Sequence, residues 1–429
     1  MLALVFPAAS APAARAGLER IDPPAVDGAM APNLLATDSG ILLSWLEPLR
    51  PGASPGAGEW ALRFARFEAG RWSAPREIVR SDRFFVNWAD FPSMVAAAGG
   101  LYAHWAETSG PGTYSYDVQL ARSTDGGASW KRIGKAHDDR TETEHGFVSF
   151  LPEGKGVRAF WLDGRRMRGE QGEMAVYTAL VEERAGAGVA LDGRVCECCQ
   201  TSAAATARGP VLVYRDRSPG EIRDIAIVRR VAGRWSAPAR VHADGWKIAG
   251  CPVNGPSVAA RGDRLAVAWF TGVEDRPTVR AAFSSNAGAS FGPAFEVDGE
   301  APLGRVQILL SDRDALVLWV APAGKEAEIR VRRVAPDGGM GEARTIARTS
   351  AARSSGFPRM AQVGEQLLVA WVEAGGKSSR LAGARLDLQA IPRAEDRGRK
   401  MALTRCAPLS RGREGRKPAV PDFLSSPSR

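Results

Sequence analysis

The chain has 429 residues, too many for one ordinary core, and its 47 Gly and 28 Pro make it rich in turn formers. With 45% apolar and 24% charged residues it has a globular make-up, which excludes collagen, wholesale disorder and a membrane-helix bundle; no apolar run approaches the roughly 18 residues that span a bilayer. The net charge of +9 is uneven, because Ala390–Arg429 hold ten Lys/Arg against four Asp/Glu and leave only +3 for everything before them.

At the N-terminus, Leu2–Ala9 is a short apolar run, followed by Ala11-Pro12-Ala13 and Ala14-Arg15-Ala16, both small-x-small cleavage patterns. Residues 1–16 therefore read as the end of a secretory signal lacking its positive n-region, and predict an exported protein, periplasmic or secreted, in a compartment where disulfides persist.

After the leader the chain repeats. A short apolar run ending in an aromatic recurs as GILLSW (to Trp45), LYAHW (Trp105), VRAFW (Trp161), PVLVY (Tyr214), RLAVAW (Trp269), ALVLW (Trp319) and QLLVAW (Trp371), at intervals of 60, 56, 53, 55, 50 and 52 residues. Each run suits a buried strand. One strand precedes each, as at Phe91–Ala97 and Pro256–Ala260, and a third follows, as at Trp60–Phe67, Val118–Arg122, Ile222–Arg230 and Val279–Ser284. A fourth is predicted at Arg71-Trp72-Ser73-Ala74-Pro75 and again at Arg234-Trp235-Ser236-Ala237-Pro238. Four strands per repeat, none able to bury both faces alone, predict an all-β propeller over residues 17–388, with seven blades by count and six as the alternative. The last copy lacks a fourth strand, and the orphan segment Leu18–Asp22 is predicted to supply it and close the ring. Residues 389–429 read as a basic, solvated tail. With the charge confined there, nucleic acid is not indicated as a partner, nor is a membrane span.

Ser123-Thr124-Asp125-Gly126-Gly127-Ala128-Ser129-Trp130 fits S-x-D-x-G-x-x-W, and Ser284–Phe291 is a degenerate second copy at the equivalent place in its repeat. The pattern resembles the Asp-box of sialidase-like (BNR-repeat) propellers. Its parts have structural work: the Asp125 carboxylate, with Ser123, caps backbone N–H groups, Gly127 supplies positive φ, and Trp130 wedges against the blade.

Loops leading into each innermost strand, and loops joining second to third strands, emerge on one face of a propeller, where ligands bind. The lead-in loop of blade three is His137–His145, that of blade four contains Cys196-Glu197-Cys198-Cys199, and that of blade five runs Asp244–Asn254 through Cys251. Four of the five cysteines and two of the four histidines thus fall in three consecutive loops; the fifth cysteine, Cys406, is in the tail. Cys196, Cys198, Cys199 and Cys251 admit two disulfides, a redox-active dithiol, or, with His137 and His145, a soft-metal site for copper or zinc. The funnel-side arginines Arg165, Arg215, Arg217, Arg223, Arg305 and Arg359, with Asn254, are candidates to clamp a small anionic ligand or an acidic glycan, or else form an inter-blade ion-pair network. His104 and His242 read as structural.

The family resemblance implies exo-α-sialidase chemistry, which uses three arginines, a Tyr–Glu nucleophile pair and an acid/base Asp. Tyr214 with Glu221, and Asp163, are the candidates for those roles. The first-strand region where the family carries an arginine reads Met30-Ala31-Pro32-Asn33, and Phe357-Pro358-Arg359-Met360 has the family's residues in a different order. The favoured reading is an exported binding protein that takes a metal ion or small anion through its Cys/His/Arg loops. A glycoside hydrolase and a protein-interaction scaffold are the alternatives.

Overall fold

The computed structural model describes residues 17–50, 52, 58–168, 171–375 and 378–394. They form seven antiparallel sheets arranged as the blades of a propeller, with only three short 3-10 turns among the described residues. Within each blade the chain runs from the innermost strand outwards: Ser93–Ala97, Gly100–Thr108, Tyr116–Ser123 and Lys131–Lys135 in blade two, for example. The seventh blade takes Arg359–Val363, Gln366–Gly375 and Ser378–Asp387 from the end of the chain. Its fourth strand is Leu18–Arg20, in register Leu18 to Leu386 and Arg20 to Ala384, so the ring closes as the repeat predicts.

The repeated apolar runs are the second strands. Every blade is flanked on both faces by neighbours, which is why these runs are continuously apolar rather than alternating; all eight residues of Gly156–Asp163 are buried. Trp45, Trp105, Trp161, Trp269 and Trp319 are each at most 1% exposed, and each indole N–H must find an acceptor there. In blades one to three the carboxylate two residues on supplies it: Glu47 at 2.8 Å, Glu107 at 3.0 Å and Asp163 at 2.8 Å. In blades five and six it comes from the preceding blade or the loop after it, as Asp244 and Asp298, both at 2.6 Å.

Innermost strands are laced across the blade gaps. Ser202 Oγ accepts from Val258 N, Ser257 Oγ from Ile308 N, and Gln307 exchanges two hydrogen bonds with the Met360 backbone. The Ser123–Trp130 turn behaves as its residues suggest: Asp125 accepts from Ser129 N at 2.9 Å and Ser123 Oγ from Gly127 N at 2.8 Å. Gly127 has φ +86, and a Cβ there would lie 2.4 Å from the Phe64 ring of blade one.

Two boundaries differ from expectation. The predicted fourth strands at Arg71 and Arg234 pair for two residues only, and pairing resumes at Arg76–Ser81 and Ala239–Arg240. Pro75 and Pro238, which lack an N–H, fall in the gaps. Packing also passes Leu388: Ile391 is buried, and Arg333 donates to the carbonyls of Leu388 and Ile391 at 2.7 and 3.0 Å. The leader at 1–16, the rest of the tail from 395 and Cys406 lie outside the described residues.

Candidate functional site

The lead-in loops of blades four and five meet over the second-to-third-strand loop of blade four. Cys196 N donates to Arg215 O at 3.0 Å, Arg223 N to Trp246 O at 2.8 Å and Ile248 N to Glu221 O at 2.9 Å. Beneath them the buried Arg215 guanidinium donates only to carbonyl oxygens, those of Asn254, Phe270 and Arg223. Asn254 in turn accepts from Arg305 N at 2.7 Å. Arg215 and Asn254, read as ligand contacts, are therefore the scaffold that fixes the loop carrying Cys251.

On that scaffold the four thiols are free and adjacent. Cys196 Sγ lies 3.3 Å from Cys199 Sγ and 3.9 Å from Cys198 Sγ, these three lie within 4.8 Å of one another, and Cys251, on the neighbouring loop, stands near enough to Cys198 for each to perturb the other. Arg223 Nη1 reaches Cys196 Sγ at 3.2 Å. Burial alone would raise the Cys196 thiol, but hydrogen bonds from Cys198 and Cys199 and the Arg215 charge hold it well below the ordinary range. The hydrogen bond to Cys196 raises Cys198, burial raises Cys199, and the Cys198 hydrogen bond lowers Cys251. Around the sulfurs, Glu197 and Glu221 tie down Arg217 and Arg223 in one ion-pair network.

The histidines do not join the sulfurs. His137 and His145 stack face to face, ring centroids 3.8 Å apart, in a nest of carboxylates. His137 meets Asp139 at 2.8 Å and Asp117 at 3.2 Å, and His145 meets Asp139 at 3.1 Å. Burial would lower His145, yet the Asp139 hydrogen bond and the Asp163 and Asp117 charges raise it. The Asp139 carboxyl is depressed well below its usual range: burial opposes this, and the hydrogen bonds of His145 and Thr141 prevail. One metal site built from both His and Cys is thus corrected to two separate clusters.

Tyr214 and Glu221 are likewise not paired. Tyr214 occupies the repeat position of the buried Trp and donates to Asp192 at 2.7 Å, whereas Glu221 is held by Arg217 and Arg223. Asp163 caps Trp161 and binds Arg165 through both of its oxygens at 2.8 Å. A different tyrosine meets two carboxylates: Tyr116, buried at the start of the third strand of blade two, has its hydroxyl 2.8 Å from Glu144 and 2.9 Å from Asp90, and of these Asp90 lines the central cavity. Asp90 also accepts from Phe147 N at 2.9 Å. Gly146 permits this approach, since a Cβ there would fall 1.9 Å from Asp90 Oδ2. Burial raises both acids, Asp90 to about 6 and Glu144 to about 8. Glu144 borders a loop that the sequence singles out, but Asp90 sits in Trp88-Ala89-Asp90-Phe91, where no repeat or motif marks it.

Backbone strain gathers on the same rim. Ala31, Phe147 and Arg305 have φ of 55, 53 and 55°, each at a register shift where an innermost strand begins. Below the rim the inner strands enclose a cavity of about 330 Å³, lined by Asp90, Phe91, Ser149, Gln200, Gln307 and Arg359 among others.

No family model matches the chain, and no curated protein matches it. Solved structures share the fold. A protein of unknown function from Dyadobacter fermentans is 16% identical over 87% of this chain and 98% of its own, with a TM-score of 0.50. An ulvan lyase representing a new polysaccharide lyase family is 12% identical over 85% and 95%, with a TM-score of 0.57. The polysaccharide lyase Uly1 is 9% identical over 84% and 90%, with a TM-score of 0.51.

Proposed function

We propose that this protein is an exported propeller that holds a soft d10 metal ion, Cu(I) or Zn(II), in the thiol cluster at the mouth of blades four and five. The carrying observation is the spacing of the sulfurs. Metal–sulfur bonds of about 2.3 Å in a tetrahedron put ligand sulfurs about 3.8 Å apart, and the Cys196 contacts at 3.3 and 3.9 Å bracket that value. Arg223 and Arg215 supply positive charge beside the thiolate, which offsets the negative charge of a thiolate-rich site. In an oxidising compartment a bound ion would also shield the thiols. The test is anaerobic titration of reduced, full-length protein with Cu(I) and with Zn(II), read by metal content and by the thiolate charge-transfer band of copper. Stoichiometric uptake, abolished in Cys199→Ser and weakened about 10- to 100-fold in Arg223→Gln, is expected. Failure of the reduced wild type to retain either ion would defeat the reading.

A second reading, hydrolysis of a glycosidic bond, including the sialoside cleavage that the family resemblance implies, is supported by the Tyr116–Asp90–Glu144 constellation. Glu144, still protonated at neutral pH, is suited to protonate a leaving oxygen, and the Tyr116 hydroxyl between two carboxyls is suited to shuttle that proton. Sialosides and uronate-containing glycans should then be cleaved, with Glu144→Gln lowering kcat about 10²- to 10⁴-fold. An inert wild type across both substrate sets removes this reading.

A further inference from the structure

Around the channel, Ser202, Ser257 and Gln307 each pin the next innermost strand. Arg359, on the strand that follows, pins nothing. Its guanidinium carbon lies 4.0 Å above the Phe91 ring and 5.9 Å from that of Phe357, its Nε is buried without a hydrogen-bond partner, and among the described residues no carboxylate pairs with it. Burial alone pulls the guanidinium down to about 10. The residue as a whole is half-buried, so part of its charge stays open to the cavity, while the cation–π contact returns about 0.5–2 kcal/mol and leaves the enclosed Nε without an acceptor. Asp90, which lines the same cavity, is turned instead to Phe147 N and Tyr116.

The surroundings keep the same sign. Arg305 and Arg353 face the Trp88 ring at 5.4 and 5.8 Å, and Trp88 stacks on Phe357 at 5.9 Å. Arg305 donates to Ser355 Oγ and to the carbonyls of Gly356 and Ala352, and among the described residues no acidic side chain pairs with it. Of the acids of blades six and seven, Glu326, Glu328 and Glu373 are taken up by Arg330, Arg348, Arg20 and Arg380. Arg305, Arg353 and Arg359 have no ion pair among the described residues, and of these three Arg359 lines the cavity of about 330 Å³.

We propose that Arg359 anchors an oxyanion in the central channel, either a free sulfate-like ion or the carboxylate of a small organic acid. The fork of a guanidinium matches two oxygens of such a group, and the cavity has room for a monosaccharide-sized body behind it. This site is independent of the thiol cluster.

The test is calorimetric titration and thermal denaturation of the full chain with sodium sulfate and with sodium glucuronate, against sodium chloride at equal ionic strength. Sulfate stabilises proteins generally by exclusion, so the readout is saturable heat and the difference between wild type and Arg359→Met. The wild type should bind at least one of the two anions saturably. Arg359→Lys, which keeps the charge but loses the fork, should bind about 10-fold more weakly, and Arg359→Met should not bind. Sulfate binding identifies a free ion as sufficient; glucuronate binding with sulfate silent identifies a carried carboxylate. No saturable binding of either anion, or equal binding by Arg359→Met, would overturn the proposal. If Arg359→Met does not fold, equal affinity in Arg359→Lys would do the same.

Discussion

A carboxyl group at position 144 meets the Tyr116 hydroxyl on one side while Asp90 meets it on the other. Burial, and after it the neighbouring Asp90 and Glu197 charges, keep Glu144 protonated to about 8 against an ordinary value of 4.5, although the Tyr116 hydrogen bond pulls the other way. The folded state therefore holds a proton that the unfolded chain releases between about pH 4.5 and 8. Where the native state binds more protons, stability falls as pH rises. The Glu144 contribution is complete below 4.5 and is lost as pH climbs through 8; Asp90 adds a smaller loss of the same sign between its ordinary 3.8 and about 6. Glu144→Gln imitates the protonated form and removes the larger part. Its urea midpoint should nearly match the wild type at pH 5, exceed it at pH 8.5 by an equivalent of up to about 5 kcal/mol, and vary less between. Parallel pH profiles of the two proteins would show that this carboxyl is not held protonated by its site.

At the scale of strands and loops, legibility followed repetition. The runs ending at Trp45, Trp105 and Trp161 recur because each second strand is clamped between two neighbours, a constraint imposed seven times on one chain. Their acceptors at Glu47, Glu107 and Asp163 follow at a fixed spacing of two residues. In blades five and six the same need is met by Asp244 and Asp298 from the preceding blade or its connecting loop, and no local spacing announces that. Tyr214 shows the consequence: it is the blade-four member of the buried aromatic series, and read in isolation it resembles a catalytic tyrosine. The cysteines could be brought to one face by topology alone, since the lead-in loops of adjacent blades must lie side by side. Assigning His137 and His145 to the same cluster failed because their partners, Asp117 and Asp163, lie on strands of two different blades. Tyr116, Asp90 and Glu144 likewise meet only in space.

For the whole ring, closure rests on a short segment carrying many bonds. Leu18–Arg20 pairs with Ala384–Leu386, Ile21 N donates to Gly383 O at 2.9 Å, and Trp72 of blade one donates to Ile21 O at 2.9 Å. Arg20 also pairs with Glu373 at 2.7 Å, and Arg385 with Glu19 at 2.6 Å. Removing residues through Asp22 leaves Ser378–Asp387 with a free edge, and blades seven and one then meet through their shared apolar cluster and the Gly28–Ser379 contact. The apolar clusters lie between blades, each shared by neighbours, so the loss should begin at that seam and travel round the ring from one shared cluster to the next. Blades four and five stand across the ring from it. In hydrogen exchange, the truncated protein should first lose protection in Met30–Thr37 and Ser378–Asp387, while Gly209–Arg215 and Arg264–Thr271 stay protected and the reduced thiols still take up metal. Cys198→Ser should give the opposite map, with metal uptake impaired and the seam untouched. If truncation instead lowered protection equally in all seven blades, the ring would be one cooperative unit, and a change at the thiol loops would be felt at the seam as well.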